Sequence, residues 1–168
     1  KIIKINLFVL FLSTILFAEI VNDINILGNK RLSKESIIVF GDISKDKEYS
    51  LNDLNLSLKK LYETNFFKEV NLKIDNNILV IKVIENPIIE DLSINGIKKE
   101  KFKKILLESM ELKSRKSYVE TLFLNDLNLI KNIIKNSGYY FSEIKTSVVK
   151  NEDQNSIRLT YDINLGEK

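Results

Sequence analysis

The 168-residue chain has no cysteine and no histidine. Disulfides, thiol nucleophiles, the usual zinc ligand sets and histidine-based triads are therefore excluded. Glycine occurs five times and proline once, which leaves phosphate-cradling glycine-rich loops without support. The formal net charge is only +3. Setting aside Lys1 and Lys4 in the N-terminal segment leaves +1, which is no electrostatic footprint for nucleic acid.

The polar chemistry that is present has ordinary explanations. Ser57-Leu58-Lys59-Lys60 has the Ser-x-x-Lys spacing of one nucleophile class. It has no accompanying motif and falls on a predicted helix, where a solvated face accounts for it. Glu152 and Asp153 stand among Asn151, Gln154 and Asn155, the composition of a turn. Lys98, Lys99, Lys101, Lys103 and Lys104 form the densest basic run. Phe102 within it falls on a buried stripe and supplies no stacking platform for a base. A solvated helix face is expected there, with salt-sensitive contact to anionic lipid headgroups as the weaker alternative. No catalytic, cofactor-binding or metal-binding residue is assigned, no cofactor is implied, and no enzyme activity is expected.

Lys1 and Lys4 precede the apolar run Ile5–Phe17, which Ala18 closes. A basic start, a short apolar stretch and a small residue describe a secretory signal peptide over residues 1–18. The run is short for a membrane span, which needs about 20 residues. Whether cleaved or retained as an anchor, it sends the rest of the chain across a membrane. The sequence reads as a piece of a longer protein.

The remainder divides into two units, 19–86 and 87–168. In the first, Leu51, Leu54, Leu58, Leu61 and Tyr62 recur at helical spacing, and Val70, Leu72 and Ile74 alternate with polar residues as a half-buried strand. Thr64-Asn65 is the corner between them. Asn is the residue besides Gly that best tolerates the left-handed conformation closing a helix. At least one of Phe66 and Phe67 should pin that corner to the core. The strand turns at Asp75-Asn76-Asn77 and returns as Ile78–Ile84. Upstream, Ile24 and Ile26 alternate in a strand ended by Gly28-Asn29. Ser33 caps a short helix, Lys34–Phe40, which Gly41 stops, and Ser50 with Asp53 caps the longer one. Pro87 marks the boundary.

The second unit repeats this order. A strand with Leu92 and Ile94 ends at Gly96, and a helix with the stripe Phe102, Ile105 and Leu106 follows. Then come a longer helix over Leu122–Asn136, a corner at Ser137-Gly138 and strands over Phe141–Val149 and Ser156–Leu165. The class is α+β: two tandem β-α-α-β-β modules, each a three-stranded mixed sheet with two helices on one face. The last two strands form a hairpin, so the third strand is central, with the first and second strands on the edges.

The segment Ile26-Leu27-Gly28-Asn29-Lys30-Arg31-Leu32 and the motif Leu61-Tyr62-Glu63-Thr64-Asn65-Phe66-Phe67-Lys68-Glu69-Val70 resemble the POTRA (polypeptide-transport-associated) family. Ile94-Asn95-Gly96 and Ser137-Gly138-Tyr139-Tyr140 resemble the equivalent positions of a second module. Asn65 stands where the family has Gly. Gly28, Asn29, Leu61, Tyr62, Thr64, Asn65, Phe67, Val70, Gly96 and Gly138 are the motif positions.

The resemblance implies a scaffold at the periplasmic face of the outer membrane of a Gram-negative-type bacterium, serving β-barrel assembly. The implied partners are unfolded outer-membrane proteins, periplasmic chaperones, assembly lipoproteins and a C-terminal membrane barrel of the same chain, with no nucleic acid. Two alternatives keep the module: a two-partner secretion or translocation-and-assembly transporter, and an inner-membrane-anchored divisome-type protein.

The edge of each module formed by its second strand comprises Val70, Asn71, Leu72, Lys73 and Ile74 in the first and Ile144, Lys145, Thr146, Ser147, Val148 and Val149 in the second. Outward N–H and C=O groups there can pair with another extended chain. Backbone physics alone is evenly matched by an edge that merely faces water or is guarded by Lys68 and Lys73. The resemblance implies that the edge acts as a docking surface. An edge of about five residues offers about two to three outward bonds of about 1 kcal/mol each. A single edge should therefore bind no more tightly than about millimolar, and two in tandem would raise the effective affinity. The short junction Asn86–Ile88 implies limited bending between modules.

Overall fold

The computed structural model describes residues 19–167, so the signal peptide expected over 1–18 lies outside the described residues. The first module contains β1 (Glu19–Val21), β2 (Asp23–Leu27), α1 (Lys34–Phe40), β3 (Lys47–Tyr49), α2 (Leu51–Glu63), β4 (Phe67–Asp75) and β5 (Ile78–Glu85). The second contains β6 (Ile88–Asn95), α3 (Glu100–Ser109), α4 (Glu120–Asn136), β7 (Glu143–Asn151) and β8 (Ser156–Asn164). The sheets have the orders β2-β5-β4 and β6-β8-β7. In each, the first strand runs parallel to the central one and the hairpin partner antiparallel. These are the mixed sheets with a central third strand that the alternation and the short hairpin turns require.

Alternation decides which face is covered. Leu79, Ile81 and Val83 of β5 are buried while Ile78, Lys82 and Ile84 are exposed. The buried face packs with Ile26, Ile37 of α1 and Leu61 of α2. In the second module Ile157, Leu159, Tyr161 and Ile163 of β8 pack with Ile94, Leu106, Ile130 and Ile134. Each such fully buried aliphatic side chain contributes about 1.5–3 kcal/mol relative to exposure. Burial pushes the Tyr161 phenol upward, with the Asp126 charge adding to the effect.

The corners follow local chemistry. The Ser36 amide donates to the Ser33 hydroxyl at 3.1 Å, and Ser50 and Asp53 form a reciprocal capping box. Asn65 is left-handed at φ 60°, as its place after α2 demands. Phe67 is buried and Phe66 packs on Phe40, with ring centroids 5.4 Å apart. Gly28 and Gly96 occupy matching joints. A Cβ on Gly28 would lie 2.2 Å from the Val83 carbonyl oxygen, and one on Gly96 would lie 1.8 Å from that of Ile163. Both glycines have positive φ, 87° and 83°. The end of each module's first strand lies against the backbone of its central strand, where no side chain fits.

Several expectations need correction. The first strand is broken at Asn22, and β1 forms a separate two-stranded sheet with β3. The three-residue β3 is too short to show a period. The second module has a counterpart: residues 115–118 lie along the start of β6, with an Ile88–Ser117 bridge and the Ile89 amide donating to the Lys116 carbonyl at 2.8 Å. Gly41 caps α1 in a right-handed conformation, and Asp42 takes the left-handed turn at φ 51°. Ile105 is exposed, since the buried face of α3 centres on Leu106. Ser57 is buried, whereas Lys60 is exposed and donates to Asp42 at 2.6 Å. The Ser-x-x-Lys spacing therefore does not lie on one solvated face. Strand β7 begins at Glu143, leaving Tyr140 and Phe141 exposed in the turn before it.

Candidate docking edges

Val70, Asn71, Leu72, Lys73 and Ile74 lie on β4, which pairs with β5 on one side only. Ile144, Lys145, Thr146, Ser147, Val148 and Val149 lie on β7, which pairs with β8 on one side only. Both segments are therefore edges, on the opposite side of each sheet from the edge strands β2 and β6.

The direction of the β4 backbone groups is fixed by one bond. The Val70 amide donates to the Tyr62 hydroxyl at 3.0 Å, so it turns away from β5. From Glu69 to Asp75 the register is unbroken. Antiparallel pairing alternates inward and outward residues, so Leu72 and Ile74 also turn their N–H and C=O groups outward. Their side chains meanwhile pack on the helix side. Lys68 and Lys73 are exposed beside this edge, and Lys73 pairs with Asp75 at 3.5 Å. The Glu69 side of the strand carries a register shift between Phe67 and Glu69, a bulge that ends regular pairing.

A cleft of about 460 Å³ separates the two modules. Phe67 and Lys68 at the start of β4 line it from one side, and Val148 and Lys150 near the end of β7 line it from the other. Pro87 and Tyr118 form part of its apolar wall. The junction is tied on both sides. The Asn86 side chain donates to the Asn65 carbonyl at 3.0 Å, and the Ile88 amide donates to the Asn155 carbonyl at 3.0 Å.

Two buried carboxylates hold the frame. Glu85 ends the buried row Leu79, Ile81, Val83, and its carboxylate accepts the amides of Lys30, Arg31 and Leu32 at 2.8 to 3.2 Å. The Gly28-Asn29 strand end is thereby fastened to the module boundary. Asp126, on the buried face of α4 with Ile130 and Ile134, accepts the amides of Glu111 and Leu112 at 2.7 and 2.9 Å. Neither residue is singled out by motif reasoning. The available signal was an acidic residue at a position where the apolar period requires a hydrophobic one. The Tyr62 hydroxyl bond was also missed, although Tyr62 and Val70 were both motif positions.

Two α+β units of the same order, joined end to end, each a three-stranded mixed sheet with helices on one face, define a tandem pair of β-α-α-β-β modules. Residues 87–166 match the model of the POTRA family, described as surface antigen variable number repeat, and the chain carries a BamA-like POTRA module. The outer membrane protein assembly factor BamA of Neorickettsia risticii is 34% identical over 89 residues, covering 53% of this chain and 12% of that protein. BamA of Nitratidesulfovibrio vulgaris is 22% identical over 150 residues, covering 87% of this chain and 19% of that protein. The chain thus spans less than a fifth of the length of these relatives. In structure it is similar to POTRA1-2 of the periplasmic domain of Omp85 from Anabaena, with a TM-score of 0.50 and 10% identity, covering 89% of this chain and 97% of that one. The N-terminal domain of Omp85 from Thermosynechococcus elongatus gives a TM-score of 0.53 at 12% identity, covering 88% of this chain and 63% of that chain. These likenesses concern the fold.

Proposed function

We propose that this module pair is a periplasmic, non-catalytic scaffold of an outer-membrane protein assembly factor, receiving unfolded β-rich chains by strand addition at β4 and β7. The observation that carries the reading is the row of outward backbone groups at Leu72 and Ile74 on the hairpin edge of the first sheet. Such groups recognise extended backbone and not a particular side chain. With the Val70 amide already bonded, β4 offers few bonds of about 1 kcal/mol each, so the contact is weak, sequence-tolerant and reversible. Those properties suit handing a client onward. The shared cleft at the start of β4 and the end of β7 supports joint use of the two edges, which raises effective concentration for a client long enough to reach both. The likeness to BamA supports the periplasmic setting and the partners: precursors, chaperones, assembly lipoproteins and a barrel in the same chain.

Proline substitution separates docking from folding. Leu72→Pro removes an outward donor and leaves the β5 ladder its bonds, whereas Asn71→Pro removes an inward one. With a photo-crosslinker at Lys73 and an unfolded outer-membrane β-barrel precursor, Leu72→Pro is expected to lower cross-linking about fivefold relative to Leu72→Ala, which loses the same core-facing side chain but keeps the outward donor, while circular dichroism and thermal unfolding of the two variants agree. Asn71→Pro is expected to lower thermal stability. Cross-linking in folded Leu72→Pro equal to that in Leu72→Ala would sink the edge reading.

A further inference from the structure

Tyr62 stands on α2, outside the sheet, and is 42% exposed. Its hydroxyl reaches across the corner to accept the outward amide of Val70 at 3.0 Å. A strand adding to β4 can bond at Ile74 and Leu72. At Val70 it meets a donor already satisfied by the Tyr62 hydroxyl. We propose that Tyr62 is an end-stop that sets how far, and in which register, an extended polypeptide adds to β4. The inference rests on the strand-addition reading.

The occupant is specified by the edge. Outward groups on alternate residues, one pair roughly every 7 Å, match the spacing of another strand and of no compact ligand. The register consequence is also specific. In strand pairing, a shift of one residue moves every side chain of the incoming chain to the opposite face. A fixed stop therefore selects which face of an alternating client is turned to the helix side. The second module lacks the device. Counting back from the left-handed corners Asn65 and Gly138, Lys135 takes the place of Tyr62, and counting forward Glu143 takes that of Val70. The first edge is bounded at one end by Tyr62, and the second has no tyrosine at that place.

The test is Tyr62→Phe in the two-module protein, read by amide NMR with a synthetic peptide of about ten alternating valine and threonine residues carrying a terminal spin label. Without peptide, the Val70 amide is expected to exchange about fivefold faster in Tyr62→Phe than in wild type. With peptide, affinity at β4 is expected to rise about fivefold, and the label's broadening is expected to move from Leu72 toward Val70. Binding at β7 is expected to stay constant. Tyr62→Leu, which also lacks the hydroxyl, is expected to give the same shift. If peptide docks at Leu72 and Ile74 with the same register and affinity in both variants, the end-stop is wrong and strand addition stands. If neither edge responds to peptide in any of the three proteins, strand addition itself falls and takes the end-stop with it.

Discussion

An aspartate stands at the same distance ahead of the left-handed corner in each module, Asp53 before Asn65 and Asp126 before Gly138. In the first module it completes a capping box with Ser50 at the start of the 13-residue α2. In the second, α4 is 17 residues long and begins earlier, at a Val119 cap that makes no side-chain bond. Asp126 therefore falls in mid-helix, is buried, and bonds the Glu111 and Leu112 amides of the preceding loop. One position thus serves a local bond in one copy and a long-range bond in the other. The lesson is that the repeat preserves the sheet and its glycine strand ends, while each joint is closed by whatever donors the local helix length leaves unsatisfied.

The strand-end glycines test whether the two copies are equally strict. Gly96→Ala would drive a Cβ into the Ile163 carbonyl, and Gly28→Ala would do the same at Val83. Each is expected to cost about 3 kcal/mol, from positive φ together with backbone collision. Urea unfolding followed by a probe in each module checks this. Loss confined to the substituted module would show that they unfold separately, and joint loss would show that the junction couples them.

A second contrast concerns the buried carboxylates. Glu85→Gln and Asp126→Asn keep shape and remove charge from bonds to backbone amides. Each is expected to cost about 2 kcal/mol. Hydrogen exchange separates their reach: the Lys30–Leu32 amides should open in the first variant and the Glu111 and Leu112 amides in the second. Opening of the same amides in both would break the distinction between a boundary latch and a loop latch.

The smallest effect is expected at the helix start. Ser50→Ala should cost about 1 kcal/mol by denaturant unfolding near neutral pH. The Ser50 hydroxyl, and then its amide, hold the Asp53 carboxyl below the usual carboxylate range. A depressed folded-state value means that this contribution is present above the unfolded value and is lost as pH falls through the folded one. The difference between wild type and Ser50→Ala should therefore shrink on acidification. A gap constant with pH would show that Asp53 takes no part in the cap.

The order β-α-α-β-β, the central place of the third strand and the left-handed corner at Asn65 were legible in the sequence. Each follows from hydrophobic period, turn length or backbone preference within a few neighbouring residues. Ser33, Ser50 and Asp53 were legible for the same reason, since a cap bonds its own helix. The break at Asn22 and the short β3 were not, because pairing with a three-residue partner leaves no period to read. The Glu85 latch, the Asp126 latch, the Tyr62 stop and the cleft between the edges were decided by tertiary structure. Lys30 and Glu85 lie 55 residues apart, and Tyr62 reaches Val70 only because the corner folds α2 back over the strand. A sequence specifies that a buried carboxylate or an edge amide needs a partner. Which partner it finds depends on the distances set when the helices dock on the sheet.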